Sequence, residues 1–203
     1  MAPDLHPDLA HLLPTDLRTE CVLIAYVKGS RLFTTGERPT HMHFVNEGEV
    51  VLERAGADGS NAILQRTRRG FVSEASLGSS QYHCDAHVVT AATITQIPIS
   101  SITSALAIDP MFSARWIDML NREVRRLRMH CERLSLPKVQ DRLTHLLATQ
   151  GDSGRYAMGS GLKSIASELG VTHEALYRCV ASLEKQGRLA RQDGFLVLQP
   201  LGV

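Results

Sequence analysis

Glu174 and Arg178 stand four residues apart in THEALYRCVASLEKQGRL, which on a helix places them side by side. Their chemistry suits base edges: an arginine fork pairs with guanine O6 and N7, and a glutamate accepts from cytosine N4. His173 and Tyr177 fall on the same arc, and Thr172 before them carries a hydroxyl that can cap the helix. Lys163, Arg188 and Arg191 are candidates for phosphate contacts, which position a protein on DNA without reading its sequence. These eight residues form one candidate surface for double-stranded DNA.

A second constellation is rich in imidazole. His41 and His43 alternate on one strand, and His83, Asp85 and His87 alternate on another, so each set shares a face. Imidazoles with a carboxylate suit zinc, copper, nickel or ferrous iron. If the strands meet, these five residues make a transition-metal site. Gly36-x4-His41-x-His43-x3-Glu47 also resembles the metal motif of cupin enzymes. The alternative reading is therefore a cupin-like, metal-dependent β-barrel enzyme fused to a DNA-binding domain. No catalytic triad, phosphate loop or paired carboxylate site is visible, and the chain is read as a non-enzyme.

The thiols form a third set. Cys21, Cys84, Cys131 and Cys179 lie far apart with no CxxC pair. That spacing suits neither a zinc finger nor an iron–sulfur cluster, and it fits free thiols of a cytoplasmic protein. Cys131 and Cys179 are the redox candidates, the first for an interchain disulfide and the second for disturbing DNA docking when oxidised.

Each set needs elements to hold it. Leu162, Ile165 and Leu169 form one short helical face, Gly170 suits a tight turn, and Leu176, Val180 and Leu183 form a second face. This is helix-turn-helix patterning, in which the second helix enters the major groove. Asp193-Gly194 suits a two-residue hairpin, so a β-wing follows. The histidines fall among short strands rich in Val, Ile and Thr: CVLIAYV, HMHFVN, EVVLER, NAILQR and HVVTAATITQIP. Their breaks include Glu47-Gly48 and Ala57-Asp58-Gly59-Ser60, and their even spacing predicts an antiparallel barrel. Residues 5–20 are expected to form short helical turns. Between barrel and wing, 109–135 reads as one long helix starting at Asp109-Pro110. Its Ile117, Leu120, Val124, Leu127, Cys131 and Leu134 follow an alternating three- and four-residue spacing, the seam of a two-stranded coiled coil. Leu136-Pro137 ends it.

The fold class is thus α+β: an N-terminal antiparallel β-roll, jelly-roll-like, at 1–108, a dimerisation helix at 109–136, and a winged helix-turn-helix at 137–203. The net charge of +1 conceals a division: 1–113 carries −4, 114–136 carries +3 and 137–203 carries +2. No stretch approaches the roughly 18 apolar residues of a membrane span, and no membrane partner is expected.

On these residues the chain resembles the Crp/Fnr family of bacterial transcription regulators. LFTTGERPTHMHFVNEGEVVLER is similar to the family's first barrel block, with Gly36 and Gly48 at turn positions. GFVSEASL is similar to its phosphate cassette, and Glu174 and Arg178 match its base-reading pair. The resemblance implies a cyclic-nucleotide-binding-like β-roll, a homodimer, a near-palindromic operator, and RNA polymerase as partner of an activator. The candidate effector pocket is then Ser73, Glu74, His83, Cys84, Leu127 and Arg128. Within it Ser73 stands for the cassette glycine, and His83 and Cys84 stand for the Arg and Ser of cyclic-AMP-binding members. Without that arginine a cyclic phosphate lacks its charge partner, so cyclic-AMP control is not expected. Nor is an iron–sulfur cluster, because Cys21 stands alone near the N-terminus. A metal ion, thiol redox state, haem, another small ligand and no effector at all stay open.

Overall fold

A computed structural model describes residues 4–56, 61–159 and 161–199. The hairpin turn expected at residues 57–60 lies outside the described residues. The chain forms two compact units, Met1–Glu123 and Val124–Val203. They part inside the long helix, whereas the sequence placed boundaries at its two ends.

The first unit opens with α1 (Pro7–Leu12) and α2 (Thr15–Arg18), the short turns expected there. Six strands follow: β1 (Val22–Tyr26), β2 (Arg31–Phe33), β3 (His41–Ala55), β4 (Asn61–Thr67), β5 (Gly70–Phe71) and β6 (Asp85–Pro98). They make one antiparallel sheet of order β1-β6-β3-β4, with β2 added on β6 and β5 on β3. The outer strands β1 and β4 are not paired, so the roll is not a closed barrel. The unit ends in α3 (Ile99–Ile108) and the first half of α4 (Pro110–Ser135). Helix α3 was not expected: its serines and β-branched residues give a weak helical pattern, and burial of Ile102 holds it down.

The sequence predicts a turn between two strands at Glu47-Gly48, and the structure corrects this. β3 is one strand of 15 residues. Gly48 has φ 92°, and the pairing with β6 shifts register three times between Val45 and Val50. These bulges bend the strand without ending it. The bend brings the backbones so close that a Cβ on Gly48 would lie 2.4 Å from the Ala91 carbonyl oxygen and 2.5 Å from Ala92 Cα.

Because β3 and β6 pair along most of their length, each has two faces to bury. Met42, Phe44 and Ile97 point to one face and pack with Leu9, Ile102, Phe112 and Trp116 under the helices. Val45, Val50, Ala92 and Ile94 point to the other and pack with Phe33, Tyr82 and Cys84 inside the roll.

Helix α4 is apolar on two sides. Phe112, Trp116 and Met119 are buried in the first unit. Most of the expected seam lies elsewhere on its surface: Ile117 is 56% exposed, Val124 44%, Leu127 41% and Leu134 37%, whereas Leu120 packs against the core of the first unit.

In the second unit, α5 (Val139–Gln150), α6 (Leu162–Glu168) and α7 (His173–Lys185) enclose a core with a three-stranded sheet. Its strands are β7 (Arg155–Ala157), β8 (Leu189–Gln192) and β9 (Phe195–Leu198), in the order β7-β9-β8. Asp193 and Gly194 connect β8 to β9 with φ 50° and 81°, the positive values a tight hairpin needs. Strand β7 was missed because so short a strand carries no pattern.

Gly48→Val should destabilise the chain by about 2–4 kcal/mol, through the strained φ and the overpacked contact. Urea unfolding measures this. An unchanged midpoint would mean that the strand is not bent tightly at Gly48.

Candidate nucleic-acid interface

Helix α7 is set by its ends and its buried face. Thr172 Oγ1 accepts from Ala175 N at 3.2 Å, closing the first turn. Leu176, Val180 and Leu183 are fully buried against α5 and α6. Their burial leaves His173, Glu174, Tyr177 and Arg178 exposed along the helix's first turns. The rings of His173 and Tyr177 meet edge to face, 5.7 Å apart. Hydrogen bonds from its own backbone N–H and from Thr172 hold the Glu174 carboxyl below the usual range, so it is an acceptor at neutral pH.

The flanking cations differ in freedom. Lys163 is exposed at the start of α6, and Arg188 is half-buried. Arg191 is already engaged: its guanidinium donates to Glu184 at 2.9 Å and lies 5.3 Å from the Tyr177 ring centre. It ties the wing strand β8 to α7. Thr172 likewise spends its hydroxyl on the cap.

Two arginines that the sequence reading missed hold this unit together. Arg142 Nε donates to Leu136 O at 2.6 Å, and its Nη1 donates to Leu169 O at 3.0 Å. It clamps the end of α4 to the turn between α6 and α7, where Gly170 adopts φ 63°. Arg133 is 0% exposed. It faces Glu168 Oε1 at 3.8 Å and donates to Thr149 Oγ1 at 3.3 Å, while Tyr156 Oη donates to Glu168 Oε2 at 3.2 Å. This group, buried except for Thr149, joins α4, α5, α6 and β7. Six arginines crowd 114–136, and in sequence Arg133 looks like the other five.

In the first unit the histidine sets do not meet. His43 faces the roll interior beside Phe33, 5.6 Å between ring centres, with Gln96 Nε2 3.4 Å from its Nε2. His83, Asp85 and His87 point the other way, because the alternate residues Tyr82, Cys84 and Ala86 fill the interior. Asp85 accepts from Thr35 N and Oγ1 at 2.6 and 2.8 Å, and His87 lies 3.0 Å from Glu53. The expected metal site of His41, His43, His83, Asp85 and His87 is therefore corrected: the pleat sends the two sets to opposite faces. Among the described residues no group of three or more His, Cys, Asp or Glu is placed to hold a metal ion. The cupin-like set fails too, since Glu47 is exposed while His43 is buried.

The candidate effector residues are also divided. Ser73 is buried and its Oγ accepts from His43 N at 3.1 Å. Glu74 opens a 3-10 turn, Glu74–Ser76. Cys84 lies in the roll core, whereas His83 is exposed and its carbonyl accepts from Arg54. Leu127 and Arg128 are exposed on α4. The thiols divide the same way. Burial pushes Cys21 up to about 11 and raises Cys84 and Cys179, so these three stay protonated at neutral pH. Cys131 is exposed on the α4 seam.

A rolled antiparallel sheet, a long helix with an exposed apolar seam and a winged helix-turn-helix make up the described fold. Residues 23–109 match the family of the cyclic nucleotide-binding domain. FixK2 from Bradyrhizobium japonicum has a similar structure, with 22% identity, TM-score 0.77, and coverage of 88% of this chain and 92% of that one. The c-di-GMP-responsive global regulator CLP of Xanthomonas campestris is similar at 17% identity and TM-score 0.68, covering 90% and 95%. A Crp/Fnr-family transcriptional regulator of Thermus thermophilus is similar at 19% identity and TM-score 0.65, covering 89% and 94%. No curated protein sequence matches the chain at a significant level. The chain has the fold of the Crp/Fnr regulators, as its motifs implied. Among the described residues no helix is long and apolar enough to cross a membrane.

Burial, and then the neighbouring His41, push His43 down to about 4 from the ordinary 6.5. Below pH 6.5 the unfolded chain takes up a proton that folded His43 refuses until about pH 4. The stability contributed by neutral His43 is therefore complete above pH 6.5 and is lost as the pH falls through that window, by up to about 3 kcal/mol. His43→Gln should flatten the urea-midpoint profile between pH 6.5 and 4. An equally steep profile in the variant would place the acid sensitivity elsewhere.

Proposed function

We propose that this chain is a sequence-specific, DNA-binding transcription regulator that acts as a homodimer on a near-palindromic operator. The observation that carries this reading is α7. One side of it is locked into a core, and the other presents Glu174 and Arg178 to solvent. Arg178 supplies a bidentate fork to guanine, Glu174 accepts from cytosine, and Lys163 and Arg188 contact phosphate. The hold of Arg191 on Glu184 and Tyr177 orients the wing beside the recognition helix. Cyclic AMP is not the effector in this reading. Cys84 packs in the roll core and His83 points outward, so neither matched position offers the phosphate a guanidinium. The divergence of the histidines speaks against a metal bound by that set. Other ligands and thiol oxidation at Cys131 stay as proposals.

The operator is first selected from random DNA by the wild-type protein. Arg178→Ala should then weaken binding to that operator by about 5- to 150-fold, the ~1–3 kcal/mol of one bidentate base contact. It should also lose preference for guanine at one position of each half-site. Equal affinity and equal sequence preference in a gel-shift titration would remove α7 from the groove.

The seam gives a second test. Val124→Glu with Leu127→Glu places like charges where two helices would meet, on side chains already exposed in the single chain. Sedimentation should show a dimer for the wild type and a monomer for the variant, with operator affinity reduced. A monomeric wild type would overturn the dimer.

A further inference from the structure

On the helix-covered side of the sheet, α1, the start of β5 and the first half of α4 border a cleft of about 500 Å3. This size is within the range of small-molecule sites. Its floor is aromatic and apolar. Phe44 and Phe71 meet edge to face at 5.1 Å between ring centres, and Met119 of α4 lies beside them. Two arginines stand at its rim, Arg69 beside β5 and Arg122 on α4, both exposed. We propose that this cleft binds a small organic anion with an aromatic body, its charge held by Arg69 and Arg122 and its ring against Phe44 and Phe71.

The charges support this occupant. Three other arginines of the sheet are already engaged. Arg66 and Arg68 bind the buried carboxylate of Glu49, and Arg54 donates to the His83 carbonyl. Arg69 and Arg122 make no ion pair among the described residues. Of the two acids among the lining residues, Asp8 is turned to His6, 3.6 Å away, so two guanidinium groups line the cleft with Asp8 and Glu123. A guanidinium fork gives a carboxylate or sulfonate charge-assisted hydrogen bonds, and an aromatic floor favours an aromatic ring over an aliphatic chain.

The place is separate from the cassette-like residues. Cys84 lies in the core inside the roll, whereas Phe44 and Phe71 belong to the core on the opposite face of the sheet. It also stays open in a dimer. Arg122 precedes the exposed seam residue Val124 by two residues, roughly 200° around the helix, so pairing along the seam does not cover it.

The chain has a single tryptophan, Trp116, whose ring lies 5.3 Å from that of Phe71. It reports directly on the cleft floor. The probe is 8-anilinonaphthalene-1-sulfonate, with N-phenyl-1-naphthylamine as the same aromatic body without the charge. The sulfonate should bind the full chain saturably, one per chain, with energy transfer from Trp116. The uncharged dye should bind at least about tenfold more weakly, the loss expected when a charged hydrogen-bonding group is removed. Arg69→Ala with Arg122→Ala should weaken the sulfonate by at least about tenfold at an unchanged melting temperature. Equal binding of the two dyes, or undiminished binding of the sulfonate by the double variant, would overturn the proposal. Operator affinity of the same variant is read separately and should match the wild type, so this test stands apart from the DNA-binding reading.

Discussion

The pairing of β3 with β6 is the constraint on which the first unit depends. Two strands paired over most of their length expose two pleated faces, and neither can stay in water at a cost the fold would survive. One face curls over Phe33, Tyr82 and Cys84 to make the roll. The other is covered by α1, α3 and the first half of α4 through Leu9, Ile102, Phe112 and Trp116. The curl needs a bend in the middle of β3. Gly48 supplies it, at a point where the opposing backbone leaves no room for a side chain.

The same pleat decides the fate of the histidines. Residues two apart share a face, so each pair was rightly grouped. Which face each pair takes depends on what the neighbours bury. Tyr82, Cys84 and Ala86 claim the interior and turn His83, Asp85 and His87 outward, while Met42 and Phe44 claim the helical side and turn His43 inward. Of the five residues of an apparent metal site, His43 becomes a neutral core histidine, His41 sits half-buried beside Thr40, and His83, Asp85 and His87 form an outward-facing row in which Thr35 holds Asp85 and Glu53 holds His87.

In the second unit a buried ionic group has the comparable role. Arg133, Glu168, Tyr156 and Thr149 come from four elements and meet where Arg133 is wholly buried. Removing one partner of such a group leaves an uncompensated charge, which is more costly than never having had the pair. Together with the grip of Arg142 on Leu136 and Leu169, it fixes the end of α4, the turn and the start of α7 as one piece.

The residues by themselves determined most of the helices, the turns of the second unit and the exposed face of α7. The three- and four-residue spacing in α4 and α7, the Thr172 cap, Gly170 in the turn and Asp193-Gly194 in the wing are local signals, complete within a few residues. That is why the helix-turn-helix and the row of Glu174 and Arg178 were legible without coordinates. Only the tertiary structure decided the rest: that β3 runs on through Gly48, that α3 and β7 exist, that the histidines diverge, and that Arg133 is buried while Arg69 and Arg122 stand over an aromatic floor. Each of those depends on which residues distant in sequence compete for the same buried volume, and no short stretch of the chain contains that information.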